Sequence, residues 1–421
     1  MTPSGPRPDG EGREAERPLR AAGRAPAGGT TASDPVGAGP VDPVHPGAGG
    51  LPDADAAPAF ARPGSEPAPA ATSPGADAGE GRNPVTVLRI VVGLVLTAAA
   101  LYAPFYFEPE LNQVLSQVIY ISIAAMGLNL LTGFNGQVSI GHGAFFGVGA
   151  FTTAILMVDH GWTFELTIPI AALVAAAVGV AVGVPALRVR GLYLALITLG
   201  LAVIFPRVAT KYVKGQGGIA LLRPDRSDFN SLIDSLANDQ WQYFECLVIA
   251  VVLFVLAWNL VRSRTGRAMI AVRDQELAAS TVGVNLSRVK VGTFALSAAY
   301  AGVAGSLSVM IDRAADGTNP ILYFQRSIEF LVAVVIGGAA TILGPAVGAF
   351  IIVFLRRNTE NLIEGKEILA PAVFGAALIL IVYVLPEGVV GGLRKLVARL
   401  TKRRPPPSAL TAAAAGPESA P

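Results

Sequence analysis

From about residue 85 onward the chain alternates between long, almost wholly apolar blocks and short polar or glycine-rich intervals. The blocks show no stripe dividing a wet face from a dry one. They approach or exceed the roughly 20 residues that a helix needs to cross a bilayer. Read this way, the spans are 85–107, 113–131, a third ending near 158, then 166–187, 191–209, 241–261, 291–311 and a last run over 367–385. The block over 327–355 is broken at Gly337-Gly338 and again at Gly344-Pro345, the residues least compatible with a continuous helix.

Charge sets the orientation. The interval 262–290 carries Arg262, Arg264, Arg267, Arg273, Arg288 and Lys290 against Asp274 and Glu276, and the C-terminal end carries Arg394, Lys395, Arg399, Lys402, Arg403 and Arg404. Positive flanks stay on the cytoplasmic side, so both clusters and both termini are expected inside. The span over 291–311 ends outside, and one crossing over 367–385 must return the chain. The broken block then counts as two crossings or none. We expect a bent pair of short helices that dips in and comes back to the outer side. The fold class is therefore an all-α polytopic membrane protein with about 8–10 transmembrane helices, a re-entrant pair near the C-terminal end and disordered tails.

Composition agrees. The 421 residues are 52% hydrophobic and 15% charged, as in an integral membrane protein. Residues 1–83 differ: Pro, Gly, Ala and charged residues dominate, too little apolar surface to offset ordering, so they read as a disordered cytoplasmic extension. The membrane-spanning domain is 85–395, with 262–290 as a loop within it, and 396–421 is a basic, then disordered, tail. One cysteine, Cys246, excludes a disulfide framework. No G-x-x-x-x-G-K-[ST] occurs, so any ATP and Mg are expected on another chain, and no cofactor or metal on this one. No paired aspartates and no H-E-x-x-H occur either, so an enzyme is not expected. The charged residues Arg89, Arg207, Glu245, Glu329 and Glu367 all fall near the ends of apolar runs, which argues against an ion-coupled carrier. An autonomous channel or carrier remains the alternative class.

Two intervals carry chemistry. In 262–290, Asp274 is placed to cap a short helix over QELAASTV, and Gly283 to close it in the left-handed conformation. Ala278 and Ala279 keep that helix thin, so another protein can approach its backbone. The alternative is a plain solvated loop. In 130–151, Gly133-Phe134-Asn135-Gly136-Gln137 reads as a helix break, either a cytoplasmic turn or a lining of the translocation pathway, to which Asn135, Gln137, Ser139 and His142 are the candidates. Gly143 and Gly147 permit close helix approach. His142, within a span, bridges helices or contacts substrate. Ser139 and His142, three apart, would share a helix face, too thin a basis for catalysis.

The loop residues Gly266-Arg267-Ala268, Arg273, Glu276, Ala278-Ala279 and Gly283 resemble the cytoplasmic "EAA" loop of ABC-importer permeases. The stretches around Gly127-Leu128-Asn129-Leu130, Gly136-Gln137, Ser139, Gly141-His142, Phe145 and Gly149-Ala150 are similar to the branched-chain amino acid permease family. So are Arg190-Gly191-Leu192-Tyr193 with Thr198-Leu199, the run from Lys290 to Leu307, and Val335-Ile336-Gly337-Gly338 with Gly344-Pro345. The family's usual Thr-Gly-Gly is replaced by Gly215-Gln216-Gly217-Gly218 in a polar outer segment over 211–240. The resemblance implies an inner-membrane permease for branched-chain or related small amino acids, or for urea and short amides. It implies two ATP-binding subunits, a homologous second permease and an extracytoplasmic substrate-binding protein as partners, with lipid around the bundle and no nucleic acid. It also implies that the loop docks in a groove of the ATPase, through Gly266, Arg267, Arg273, Glu276, Ala278, Ala279 and Gly283.

Overall fold

The structure is a computed structural model that describes residues 84–187, 191–213, 221–222, 224, 229, 236–319, 321–362, 369–384 and 388–401. Residues 1–83, the Gly215–Gly218 pattern, Glu367 and the final tail from 402 lie outside the described residues. The helices are α1 (Pro84–Tyr106), α2 (Pro109–Leu128), α3 (His142–His160), α4 (Phe164–Ala186), α5 (Leu192–Tyr212), α6 (Asn238–Arg262), α7 (Arg264–Asp274), α8 (Glu276–Thr281), α9 (Leu286–Asp312), α10 (Leu322–Gly337), α11 (Gly344–Leu362), α12 (Leu369–Val384) and α13 (Gly388–Thr401). A π-helical turn, Asn129–Phe134, extends α2. Strands β1 (Leu221–Leu222) and β2 (Ala315–Asp316) pair antiparallel, a small departure from the all-helical expectation.

Six helices among the described residues are long and apolar enough to cross a membrane: α2 with its π turn, α3, α4, α5, α6 and α9. Their ends follow local chemistry. Pro109 opens α2 where a missing N–H costs nothing. Gly161, at φ 65°, closes α3, and the N–H groups of Gly161 and Trp162 donate back to the Met157 and Leu156 carbonyls at 3.1 Å. α9 begins at Leu286, five residues before the expected span, because Asn285 caps it by accepting from the Arg288 N–H at 3.0 Å.

Burial separates centre from periphery. The apolar window of α9 is 83% buried and that of α2 72%, against 17% for α6, whose side chains face outward into what would be lipid. The centre is held by backbone proximity more than by large side chains. A Cβ at Gly149 would meet the Gly302 carbonyl, and one at Gly305 would meet that of Phe146, so α3 and α9 touch through glycine. Gly143 and Gly147 bring α3 against Tyr323 and Ser327 of α10 and Phe205 of α5, as the spacing predicted.

The broken block forms an antiparallel hairpin of α10 and α11. Gly337 lies on Gly344, Gly348 on Ala333, and Glu329 on Arg356, a descending pairing that only antiparallel helices give. The turn uses Gly338 at φ 110° and Ala340 at φ 56°, and Pro345 sits in the first turn of α11. The arms, of 16 and 19 residues, are about 24 and 28 Å long at 1.5 Å per residue. Arg356 and Arg357 share a recess with Glu110 and Gln113 at the start of α2, so α11 ends beside the end of the bundle where α2 begins.

Candidate functional site

At the other end of the bundle, α6 gives way to α7 and α8. Ser263 stops α6 and caps α7, its Oγ accepting from the Gly266 N–H at 3.3 Å. A Cβ on Gly266 would collide with the Leu260 and Val261 carbonyls, so glycine is what lets the chain fold back there. Arg267 is exposed and donates to the Arg262 carbonyl at 3.1 Å, a cap on the end of α6.

The short helix is present, but its start differs from the expectation. Asp274 does not cap it. Asp274 is the last residue of α7, an element the sequence reading missed, and its carboxylate is paired with Arg273 at 2.9 Å. The chain kinks at Gln275 (φ −154°, ψ 102°), and α8 begins at Glu276. The end is as expected: Gly283 stands at φ 86°, its N–H donates to Ser280 O at 3.1 Å, and the Val284 N–H reaches Ala279 O at 3.0 Å, a complete Schellman motif. The two alanines separate. Ala279 is buried against the bundle and only Ala278 faces out. Beside Ala278 stand Leu277 and Val282, each 79% exposed. Two large apolar side chains displayed on a short helix outside the spans form a surface that gains by being covered.

The break predicted in 133–137 is real and lies against this loop. After the π turn, Gly136 takes φ 73° and residues 136–141 run without helix until His142 opens α3. Ser139 is thus not helical, and the expected shared helix face with His142 does not exist. Arg273 Nη1 donates to the Gly133 carbonyl at 3.0 Å, while its aliphatic stem fills the space a Cβ on Gly136 would need. Gln137 donates to the Lys290 carbonyl at 3.2 Å, and Lys290 Nζ pairs with Glu276 at 2.6 Å. His142 is fully buried; its Nε2 lies 3.1 Å from Ala124 O, bridging α3 to α2, and its ring packs edge-on to Phe145 and Phe330. Both amide atoms of Asn135, Ser139 Oγ and His142 Nδ1 are buried without a hydrogen-bond partner among the described residues. Each such group costs about 1–3 kcal/mol while it stays unsatisfied.

Two features escaped the sequence reading. Asn129, in the π turn, accepts from the Ala340 N–H at 2.9 Å and donates to Thr341 O at 2.8 Å, fastening the hairpin turn to the break. At the opposite end, a polar and ionic ladder crosses four helices, α2, α9, α10 and α11. Tyr120 donates to Asp312 at 3.2 Å, and Arg326 lies 3.7 Å from Asp312 and 2.9 Å from Glu329. Glu329 also pairs with Arg356 at 2.7 Å. Each charge stands near the end of an apolar run, where composition marks it as a flank; only the hairpin turns them toward one another.

A family model described as the permease component of branched-chain amino acid transport systems matches residues 111–382. The chain is 28% identical over 327 residues to the high-affinity branched-chain amino acid transport system permease protein LivM of Salmonella typhimurium, covering 72% of this chain and 76% of that protein. It is 30% identical over 297 residues to LivM of Escherichia coli, covering 65% and 68%. To LivH of Escherichia coli, named as a permease protein of the same kind of system, it is 26% identical over 292 residues, covering 64% and 91%. No solved structure matches.

Proposed function

The chain belongs to the family of branched-chain amino acid transport permease components, and we propose that it is the membrane-spanning subunit of an ABC importer. In this reading it carries branched-chain or related small amino acids inward through the plasma membrane, powered by two separate ATP-binding subunits. A homologous second permease completes the pathway and an extracytoplasmic binding protein delivers the substrate. This chain holds no ATP, Mg or metal of its own and does no chemistry on its cargo.

The observation that carries this reading is α8: a helix outside the spans, ended by Gly283 and displaying Leu277 and Val282. Gly266 and Ala279 are framework residues of that platform. Arg267, Glu276 and Ala278 stand on or next to its open surface. On the pathway side, Asn135, Ser139 and His142 hold polar atoms that find no partner among the described residues, which suits groups that meet water or substrate when the pathway opens. Gln137 is already engaged with the Lys290 carbonyl, so its part in this conformation is structural.

Crosslinking tests the docking. Cys246 is fully buried and the chain has no other cysteine, so Leu277→Cys introduces a single accessible thiol. In membranes holding the whole importer, it should crosslink to an ATP-binding subunit. No crosslink, together with concentrative uptake by the purified chain alone in liposomes, would overturn the proposal in favour of an autonomous carrier.

A further inference from the structure

The docking helix does not sit apart from the helix break; the two are pinned together at two points. We propose that Arg273 and Gln137 are positioning residues for transport, a clasp through which displacement of α8 moves the broken segment 129–141. The inference rests on the docking reading above and adds to it where the motion goes.

The first point is Arg273. Its guanidinium is oriented by Asp274, with Nε and Nη2 each 2.9 Å from the carboxylate, leaving Nη1 to bond the Gly133 carbonyl at 3.0 Å. That carbonyl lies at the end of the π turn, where the helical ladder stops and an acceptor is left over. The stem of Arg273 also lies beneath Gly136: a Cβ there would come within 2.7 Å of Arg273 Cγ. Gly136 therefore serves two needs, a positive φ and room for the arginine. The second point is Gln137, whose amide reaches the Lys290 carbonyl at 3.2 Å while Lys290 Nζ holds Glu276, the first residue of α8, at 2.6 Å. Any tilt of α8 pulls on Glu276 and hence on Lys290 in the second turn of α9, and any shift of α7 pulls on Gly133.

The element between the two points is the kind that can change register. A π turn holds one residue more than the α ladder accommodates, so it can relax to α-helix by passing that residue along the chain. Here such a shift has a defined consequence. Asn129, at the start of the turn, holds Ala340 and Thr341 of the hairpin turn, and a Cβ at Gly133 would come within 2.6 Å of the Ala340 nitrogen. Moving the turn by one residue rotates Asn129 away and releases the hairpin. The clasp thus joins α8 to the α10–α11 hairpin through a turn to which the proposal assigns two registers, the kind of element that coupling over a distance requires.

The test uses the complete importer in nanodiscs with its binding protein and L-leucine. The Arg273 guanidinium is taken up by Asp274 and the Gly133 carbonyl, and Gln137 by the Lys290 carbonyl, so Arg273→Ala and Gln137→Leu should leave the ATP-binding subunits bound. Leucine transported per ATP hydrolysed should fall by roughly tenfold, the scale of a coupling energy carried by one or two contacts. Arg273→Lys, which keeps the stem and one donor, should recover part of that ratio, which a merely misfolded loop would not. An unchanged ratio in both variants overturns the clasp, and so does loss of ATPase association. Failure of the docking reading looks different: replacing Leu277 and Val282 by Asp would leave ATPase association intact.

Discussion

Gly283 offers a quantitative test of the docking helix because its cost is purely conformational. A Cβ at this position would meet nothing within 4 Å, so no substitution is opposed by crowding. The backbone, however, stands at φ 86°, where an L-residue pays about 1–2 kcal/mol relative to glycine. With only six residues, α8 cannot sustain itself; it relies on burial of Ala279 and on the two terminal bonds of Gly283 and Val284. Gly283→Ala should therefore weaken the cap by about 1 kcal/mol, roughly fivefold, and Gly283→Val by about 2 kcal/mol, roughly thirtyfold. Gly283→Asn should cost least, since asparagine tolerates the left-handed region. The direct readout is amide hydrogen exchange at residues 283 and 284, whose N–H groups carry the cap; exchange should quicken by these factors in this order. On the docking reading proposed above, apparent affinity for the ATPase should fall by no more than the same factors, because only the capped fraction would dock. Gly283→Arg adds bulk and charge beside Leu277 and Val282, and should abolish transport while membrane insertion stays intact. If alanine and valine exchange no faster than glycine, or asparagine is as harmful as valine, the cap is not what holds α8.

Glu329→Gln should cost about 1–3 kcal/mol, between the limits for exposed and fully buried pairs, because Arg326 and Arg356 lose their shared carboxylate while their side chains are only 16% and 31% exposed; a fall in the thermal midpoint of the detergent-solubilised protein measures it, and an unchanged midpoint would show the ladder to be inert. Labelling with a membrane-impermeant thiol reagent tests the hairpin: Asn358→Cys and Val282→Cys, both exposed positions, should react from opposite sides of the membrane, and reaction from the same side would rule out α11 returning to the outer face.

The pattern of apolar blocks made most of the fold legible, since a span is recognised from length and composition alone. What it could not show is where a polar residue points. Asp274 is the stronger helix starter in sequence, yet in the structure it ends α7 paired with Arg273, and the kink falls at Gln275. Ala278 and Ala279 are the same residue type, and only packing on the bundle turns one inward. The ladder was illegible for a related reason. Asp312, Arg326, Glu329 and Arg356 look like separate flanks until the hairpin folds back and stacks them. The glycines were the most readable residues, because Gly136, Gly283 and Gly338 each stand at positive φ and declare a local need that no distant contact has to explain.

The two basic clusters bear on orientation together. Gly388, which opens α13, packs directly on Gly338 and the Val335 carbonyl. The Gly338 turn runs into Ala340 and Thr341, which Asn129 holds, and the π turn that begins at Asn129 ends at Gly133, which Arg273 holds. The start of the C-terminal basic helix, the hairpin turn, the helix break and the arginine-rich loop therefore sit at one end of the bundle. The charge rule, applied to the sequence, required both basic segments to share a side, and it left the broken block to settle the count. An antiparallel hairpin brings the chain back to the end it left, which is the parity that count requires. The same arrangement explains why the break is affordable. Its irregular backbone is bonded by Arg273 at the Gly133 carbonyl and by Thr198, whose Oγ1 accepts from the Ile140 N–H at 3.1 Å, and its Gln137 side chain is held by the Lys290 carbonyl. The loop that carries α8 and the groups that make a broken helix tolerable are thus one structure, which is the contact the proposed clasp requires.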